Sequence, residues 1–374
     1  MSTARTSRAS SVWVAQASRL CDPAAGRIAV VGATGAVGRE VLAILADRGV
    51  GAERVIALAS DRSEGTEIAY GERTARVAAL RPESFAGAGI AIFGASADIA
   101  REFAPHALRA GALVVDNSSA FRMDPAVPLV VPEVNGELLE EHRRDACATH
   151  TGGRIIANPN CSTIILLTAL EPLRRAFGIE RVHVATYQAV SGAGLAAMDE
   201  LREQAGTVLA GGAATPKVFR EPCAFNVFSH DSAVDESDGL NVEERKIIEE
   251  AAKIWGEHVP ITPTCVRVPV LRAHSQAITL TLRDAASVEE VRGALRGAPG
   301  VRVIDDRAAN EFPTPLKAAG GDEVLVGRVR HDPATEVDAS GRSRGVCLWV
   351  CGDQLRKGAA LNAVQIAERV FTIV

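Results

Sequence analysis

The sequence has no apolar run long enough to cross a bilayer. Stretches such as "RIAVVGATGAVG", "STIILLTAL" and "GALVVDNSSAF" stop well below the roughly 18 residues that a membrane helix needs, so a soluble protein is expected. The seven cysteines form no C-x-x-C pair, and their odd number speaks against a disulfide framework. A reducing cytoplasm is the expected compartment. Charge of one sign is also lacking: 41 Lys and Arg stand against 46 Asp and Glu, a formal net charge of -5. Neither nucleic acid nor an anionic membrane is therefore an expected partner. No internal repeat is present. Acidic residues are missing from the start of the chain until Asp22, and the Ser-, Ala- and Arg-rich stretch 1–26 reads as a disordered tail in preference to a transit peptide.

What the chain does have is length. At 374 residues and 47% hydrophobic, it is too long for one ordinary domain and fits two. From Arg27, an apolar strand runs into a glycine turn and a helix whose apolar face carries Val41, Leu42 and Leu45. "RVIALAS", "GIAIFGAS" and "ALVVDNSS" read as further strands, with a helix over "ADIAREFAPHALRAG". Such alternation predicts an α/β fold that opens with a doubly wound, Rossmann-like dinucleotide-binding domain. After about residue 160 the pattern changes. A helix, "CSTIILLTALEPLRRAF", precedes strands at "RVHVATYQAV", "TCVRVPVLRAH" and "AITLTL" and helices at "VEERKIIEEAAKIW" and "SVEEVRGALRG", predicting an α+β second domain. "DASGRSRG" reads as a solvated turn between strands, and "RKGAALNAVQIAERVF" as a final helix that returns to the first domain. The expected division is 27–159 plus 353–374 for the cofactor domain and 160–352 for the catalytic one.

Gly32, Gly35 and Gly38 lie between the first strand and its helix. Glycines there let the backbone turn tightly and approach a pyrophosphate at the positive end of the helix. Their G-x-x-G-x-x-G spacing departs from the commoner G-x-G-x-x-G, but the strand-turn-helix context supports the same use. The second strand ends in "LASDRSEG". Ser60, Arg62 and Ser63 suit a ribose 2'-phosphate and so NADP, whereas Asp61 pulls towards NAD.

Pro159 marks a loop, Asn160 is a natural cap, and Cys161 opens an apolar helix. A thiol at a helix N-terminus feels the macrodipole, which favours thiolate, and free backbone N–H groups there suit an oxyanion. On these residues alone, a buried structural cysteine is an equally good reading. A nucleophile needs a partner that manages protons, and among eight histidines His274 stands a few residues after Arg267, following the strand "TCVRVPV". Thiol, imidazole and guanidinium together suit acyl chemistry on a carboxylate substrate.

In this order along the chain, "GATGAVG", "VVDNSSAFRMDPAVPLVVPEVN", "NPNCST", "TYQAVSGAG", "AFNV", "RVPV" with "HSQ", and "KGAALNAVQIAE" resemble the aspartate-semialdehyde dehydrogenase family. The resemblance runs from Arg27 nearly to the C-terminus. It implies a catalytic and dimerisation role for the second domain, with a homodimer expected and a tetramer as the alternative. It implies Cys161 as the acylated nucleophile, His274 as general acid/base with a near-neutral pKa, and Gln188 positioning the thioester. Arg267 is expected to grip the substrate carboxylate, Glu243 its ammonium, and Arg122, Lys246 and Asn160 the phosphate. Thr34, Ala36 and Val37 join the three loop glycines at NADP, with Ser191, Gly192 and Asn362 approaching it from elsewhere. The implied reaction is NADPH-dependent reduction of L-4-aspartyl phosphate to L-aspartate 4-semialdehyde through a cysteine thioester, in lysine, threonine, methionine and diaminopimelate biosynthesis. No metal is implied.

Some residues depart from the family pattern. "FGASAD" stands where Ser-Ala-Gly-Gly is usual, leaving the contact at Gly94, Ala95 and Ser96 open, and Gln276 replaces a common acid. "EEHRRDACATHTGG" is long for this family; His142, Cys147 and His150 lack a fourth ligand and read as surface loop. The rival enzyme reading, N-acetyl-glutamyl-phosphate reductase, has an acylated substrate amine and so no use for an acid aimed at a free ammonium. A non-catalytic paralogue would be expected to lack the thiol, the histidine or the arginine.

Overall fold

The computed structural model describes residues 26–139 and 154–370. The expected tail up to residue 25 and the loop carrying His142, Cys147 and His150 lie outside the described residues. Those described fall into two compact units, one built from the chain up to Pro159 together with Ala360 onwards, the other from Asn160–Ala359.

The first unit is organised by a seven-stranded sheet. Its strands are β1 (Arg27–Val31), β2 (Val55–Ala59), β3 (Glu67–Tyr70), β4 (Arg73–Ala79), β5 (Ala88–Phe93), β6 (Leu113–Asp116) and β7 (Ile155–Ala157). Their order is β3-β4-β2-β1-β5-β6-β7, parallel except for the β3–β4 hairpin. β1, β2 and β5 are apolar along nearly their whole length because helices cover both faces. Helix α1 (Ala36–Asp47) buries Val41, Leu42, Ile44 and Leu45 on one face, and α2 (Ala97–Arg109) covers the other through Ala100, Ala104 and Ala107. The chain leaves β1 towards β2 and later returns to the opposite side of β1 as β5. The switch in strand order therefore falls between the C-terminal ends of β1 and β5, where open α/β sheets bind ligands.

The β3–β4 hairpin and β7 are absent from the sequence-based reading. Glu67, Arg73 and Arg76 occupy the exposed alternate positions of the hairpin, so its buried Ile68, Tyr70, Ala75 and Val77 never form an apolar run.

The second unit has its own seven-stranded sheet. Its strands are β8 (Ile179–Gln188), β9 (Phe228–Ser229), β10 (Ile261–Arg267), β11 (His274–Ala286), β12 (Val301–Val303), β13 (Val324–His331) and β14 (Ser343–Gly352). The order is β12-β13-β14-β11-β8-β10-β9. Helix α3 (Cys161–Phe177), buried almost throughout its first three turns, packs on β11, β13 and β14. Helices α4 (Leu195–Leu209), α5 (Val242–Trp255) and α6 (Val288–Leu295) complete this unit, and α7 (Leu361–Val370) belongs to the first. The expected strand at "TCVRVPVLRAH" stops at Arg267. A turn containing Ala273 at φ 74 follows, so His274 opens β11 instead of following the end of its predecessor. The turn "DASGRSRG" does join two strands, the antiparallel β13 and β14. In the final helical stretch, a π-helical turn at Arg356–Ala360 precedes α7.

Candidate active site

Strand register brings the second unit's polar residues together. β8 and β10 run parallel with Gln188 paired to Arg267 at their last residues, while β11 runs antiparallel to β8 with Ser275 opposite Tyr187. Gln188, Arg267 and His274 thus stand at one end of three neighbouring strands. All three are buried, His274 completely.

Cys161 is the first residue of α3 and half-buried. Asn160 caps that helix, its Oδ1 accepting from Ser162 N at 2.9 Å and Thr163 N at 3.3 Å. Asn160 Nδ2 donates to Glu243 Oε1 at 2.8 Å, and its backbone N–H donates to Glu250 Oε2 at 2.6 Å. Two carboxylates from one face of α5 therefore hold the residue next to the thiol. Gln188 Nε2 donates to Ser162 Oγ at 3.0 Å and to Glu243 Oε1 at 3.2 Å, while Lys246 Nζ lies 3.2 Å from Glu243 Oε2. Burial alone raises a carboxyl pKa, but Lys246 and His230 with these donors outweigh it and bring Glu243 down to about 2. Gln276 Nε2 donates to Ser162 O at 2.9 Å, pinning the first turn of α3 from β11. A carboxylate at that position would face a carbonyl oxygen and could not make this bond.

The Cys161 Sγ and His274 Nε2 atoms are 3.6 Å apart, and Ala189 N–H donates to His274 Nδ1 at 3.0 Å. The same residue's carbonyl accepts from Arg267 Nη1 at 3.2 Å. Arg267 Nη2 donates to His230 Nε2 at 2.8 Å and to Asp231 Oδ1 at 2.9 Å, and the guanidinium lies 5.3 Å from the centre of the Phe219 ring. Its Nε is buried without a partner among the described residues, leaving a donor for an incoming carboxylate. Burial, followed by the Arg267 charge, pushes His274 down to about 3, with Glu243 opposing. The near-neutral value expected of His274 is thus corrected: a cation here would be desolvated and would face Arg267.

Glycines set the open space. A Cβ on Gly192 would come within 3.2 Å of Arg267 Nη1 and 3.3 Å of His274 Cε1, and one on Gly358 within 3.0 Å of Cys161 Cβ. Gly192, expected at the cofactor, therefore also borders the thiol-imidazole pair. Ser191 is buried and its Oγ accepts from Gln354 Nε2.

In the first unit, Gly32 has φ 80, and a Cβ there would lie 2.7 Å from Gly94 O. A Cβ on Gly38 would lie 2.2 Å from Gly32 O. Gly94 thus closes against the glycine turn, and Ser96 caps α2 through Ile99 N. Thr34, Gly35, Ala36 and Val37 are all partly exposed around the α1 N-terminus, which has no side-chain cap and no acid in its first turn. Past β2, Ser60 and Arg62 are exposed and Ser63 partly so; Asp61 lies 3.4 Å from Arg81 Nη2. Arg122 is buried, donating to Asn158 O at 3.0 Å and Asn117 O at 2.8 Å. Asn362 Nδ2 donates to Asn158 Oδ1 at 2.7 Å and Val130 O at 2.9 Å.

Sequence reasoning missed Glu250, His230, Asp231 and Gly358. Glu250 had a signal: it follows Glu243 by two helical turns and shares its face. His230 and Asp231 sit in a loop with no period to reveal them.

Comparison with known proteins gives this constellation its relatives. Residues 27–142 match the model of the semialdehyde dehydrogenase NAD binding domain, and residues 170–357 that of the semialdehyde dehydrogenase dimerisation domain. The chain is 43% identical over 347 residues to the aspartate-semialdehyde dehydrogenase of Synechocystis sp., covering 92% of this chain and 97% of that one. The crystal structure of aspartate semialdehyde dehydrogenase II from Vibrio cholerae complexed with ASA is similar with a TM-score of 0.83 at 40% identity, covering 92% and 97% of the two chains. That of the Candida albicans enzyme with NADP gives 0.70 at 25% identity, covering 92% and 98%. With matches of this extent over both of its units, the chain belongs to the aspartate-semialdehyde dehydrogenase family.

Proposed function

We propose that this protein reduces L-4-aspartyl phosphate to L-aspartate 4-semialdehyde and phosphate through a thioester on Cys161. The observation that carries this reading is the Cys161–His274 pair, 3.6 Å apart at the start of a helix capped by Asn160. Free N–H groups at that helix start suit both a thiolate and the oxyanion of the tetrahedral intermediate. His274 offers Nε2 to the sulfur. Gln188, between Ser162 and Glu243, positions the acyl group, and Arg267 receives the substrate carboxylate on its unpartnered Nε edge. Glu243, kept ionised, is the acceptor for the substrate ammonium, and Lys246 and Asn160 with Arg122 are the phosphate ligands.

Cofactor binding falls to the first unit and catalysis to the second. The close packing of Gly32, Gly38 and Gly94 beside an uncapped helix N-terminus suits a dinucleotide pyrophosphate. NADP is the favoured cofactor: Arg62 is exposed and makes no ion pair among the described residues, whereas Asp61 already faces Arg81. The Candida albicans relative binds NADP as well. When bound, the nicotinamide supplies the hydride. Gly192, Ser191 and Asn362 are the further cofactor residues that the family resemblance implies. The match to a dimerisation domain supports a homodimer. The near balance of 41 basic and 46 acidic residues gives no reason to expect nucleic acid or an anionic membrane as partner. Among the described residues no helix is long and apolar enough to cross a membrane, and all the cysteines there are free thiols, in keeping with a cytoplasmic enzyme.

The test is phosphate-dependent reduction of NADP with L-aspartate 4-semialdehyde, run beside Cys161→Ser and repeated with NAD. The wild type is expected to turn over with the lower KM for NADP. Cys161→Ser is expected to retain substrate binding and lose turnover, and substantial activity in that variant sinks the reading.

A further inference from the structure

We propose that Glu200 and Gln204 of α4 are positioning residues for recognition of the substrate carboxylate. They act through the segment 212–231, which they anchor and which holds the Arg267 guanidinium. The inference rests on the reading of Arg267 as the receiver of that carboxylate and names what makes it selective.

Between the end of α4 at Leu209 and the start of β9 at Phe228 the chain forms no helix or strand. Such a stretch has no hydrogen-bond ladder of its own, so its backbone groups need other partners. Two side chains one helical turn apart on α4 supply them. Glu200 Oε1 accepts from Lys217 N at 3.1 Å, and its Oε2 accepts from Val218 N. Gln204 Oε1 accepts from Cys223 N at 2.8 Å and from Ala224 N at 3.1 Å. Its Nε2 donates to Thr215 O at 3.0 Å and to Glu200 Oε1 at 2.8 Å, locking the two anchors to each other. Both side chains are buried.

Phe219 lies between the two anchored stretches. Its ring is buried with Val190, Ala197 and Leu201, meets Phe228 edge-on at 5.8 Å and lies 5.3 Å from the Arg267 guanidinium. The chain then joins β10 as β9, with Phe228 opposite Arg267, and runs on into His230 and Asp231. Those two residues accept from Arg267 Nη2 at 2.8 and 2.9 Å. Among the described residues, the Ala189 carbonyl is the one hydrogen-bond partner of the guanidinium from outside this segment.

An arginine side chain has many rotamers, and one already held in place gives up little freedom when a carboxylate arrives. Anchoring of the segment therefore strengthens the binding of ligands that carry a carboxylate and of no others. Loosening it weakens those ligands selectively.

Two variants of unchanged side-chain size test this in the full-length enzyme. Gln204→Glu sets an acceptor against Thr215 O and Glu200, and Glu200→Gln sets an N–H donor against one of the two backbone N–H groups. Inhibition constants against L-aspartate 4-semialdehyde are measured for succinate semialdehyde, which keeps the carboxylate, and for 3-aminopropanal, which lacks it; neither has to turn over. In both variants the KM for L-aspartate 4-semialdehyde and the constant for succinate semialdehyde should rise roughly tenfold, the ordering of one long side chain, while that for 3-aminopropanal and the KM for NADP stay within about twofold. A loss shared equally by all ligands marks a merely structural role and overturns the proposal, as does no loss. If these variants fail to fold, Phe219→Leu leaves every anchoring bond in place and removes the ring from the guanidinium; it should show the same selective loss, and an unselective one overturns the proposal. Failure of the underlying reading looks different: an Arg267→Leu variant that keeps the wild-type preference for succinate semialdehyde over 3-aminopropanal overturns the role of Arg267 itself, and the proposal with it.

Discussion

At the scale of single residues, the chemistry depends on how narrowly Cys161 is held. Asn160 does this from both ends of its side chain, capping α3 with Oδ1 and binding Glu243 with Nδ2, while Glu250 fixes its backbone N–H. On the other side Gly358 lies against Cys161, where an added Cβ would come within 3.0 Å of Cys161 Cβ and 3.4 Å of its carbonyl oxygen. Gly358→Ala must displace Cys161 or the turn that carries residue 358. Misplacement by about 1 Å of a reacting group costs on the order of 10²-fold in rate. The contact here asks for a shift of only a few tenths of an ångström, so we expect kcat in Gly358→Ala to fall by less than that factor, with the KM for NADP little changed. Steady-state kinetics check this; an unchanged kcat would show that the contact has room to relax.

At the scale of elements, α3 serves as the platform of the site. Its first residue is Cys161, the proposed nucleophile, and Ile164, Ile165, Leu166, Leu167, Leu170 and Leu173 are fully buried along the same helix. It packs on β11, whose first residue is His274, and Gln276 ties the two elements together through Ser162 O. Burial of these aliphatic side chains is what sets the distance between thiol and imidazole. Leu166→Ala removes a fully buried side chain of α3 and is expected to cost about 2–5 kcal/mol of stability. Urea unfolding measures this, and a loss below about 1 kcal/mol would mean that the interface collapses around the gap. The same logic holds for the cofactor loop, where Gly32, Gly38 and Gly94 touch across two strands. That contact explains how the divergent "FGAS" stretch still closes the turn.

At the scale of the whole molecule, buried titratable groups link stability to pH. His274 is pushed from 6.5 to about 3, and His230 is also lowered, in both cases by burial first. Below pH 6.5 the unfolded chain takes up protons at these histidines that the native protein refuses, so stability is present above pH 6.5 and is lost as pH falls towards 3. Glu243, lowered from 4.5 to about 2, acts with the same sign but only below pH 4.5. Asp116, raised from 3.8 by burial, acts with the opposite sign, so two histidines stand against one carboxyl. Below pH 6.5 His274 alone contributes a slope approaching about 1.4 kcal/mol per pH unit, stability falling on acidification, with His230 adding to it and Asp116 opposing it. Urea midpoints across that range read it directly, and a midpoint that rises on acidification contradicts the burial of these histidines.

What the sequence determines by itself is local chemistry and period. The glycine turn after β1, the alternation of strands and helices, and a thiol at a helix start behind an Asn cap all depend on residues near one another in the chain. Gln188, Arg267 and His274 are recognisable as residue types, and the family resemblance names them, but nothing in their spacing brings them together. Only the register of β8, β10 and β11 does so, because parallel and antiparallel neighbours place two strand ends and one strand start at the same edge. The bonds that hold Asn160 reach 83 and 90 residues along the chain, to Glu243 and Glu250. The state of His274 is likewise a tertiary property. Its burial and the Ala189 N–H at its Nδ1 come from remote segments, and a titratable group takes its charge from what surrounds it, which no local pattern encodes.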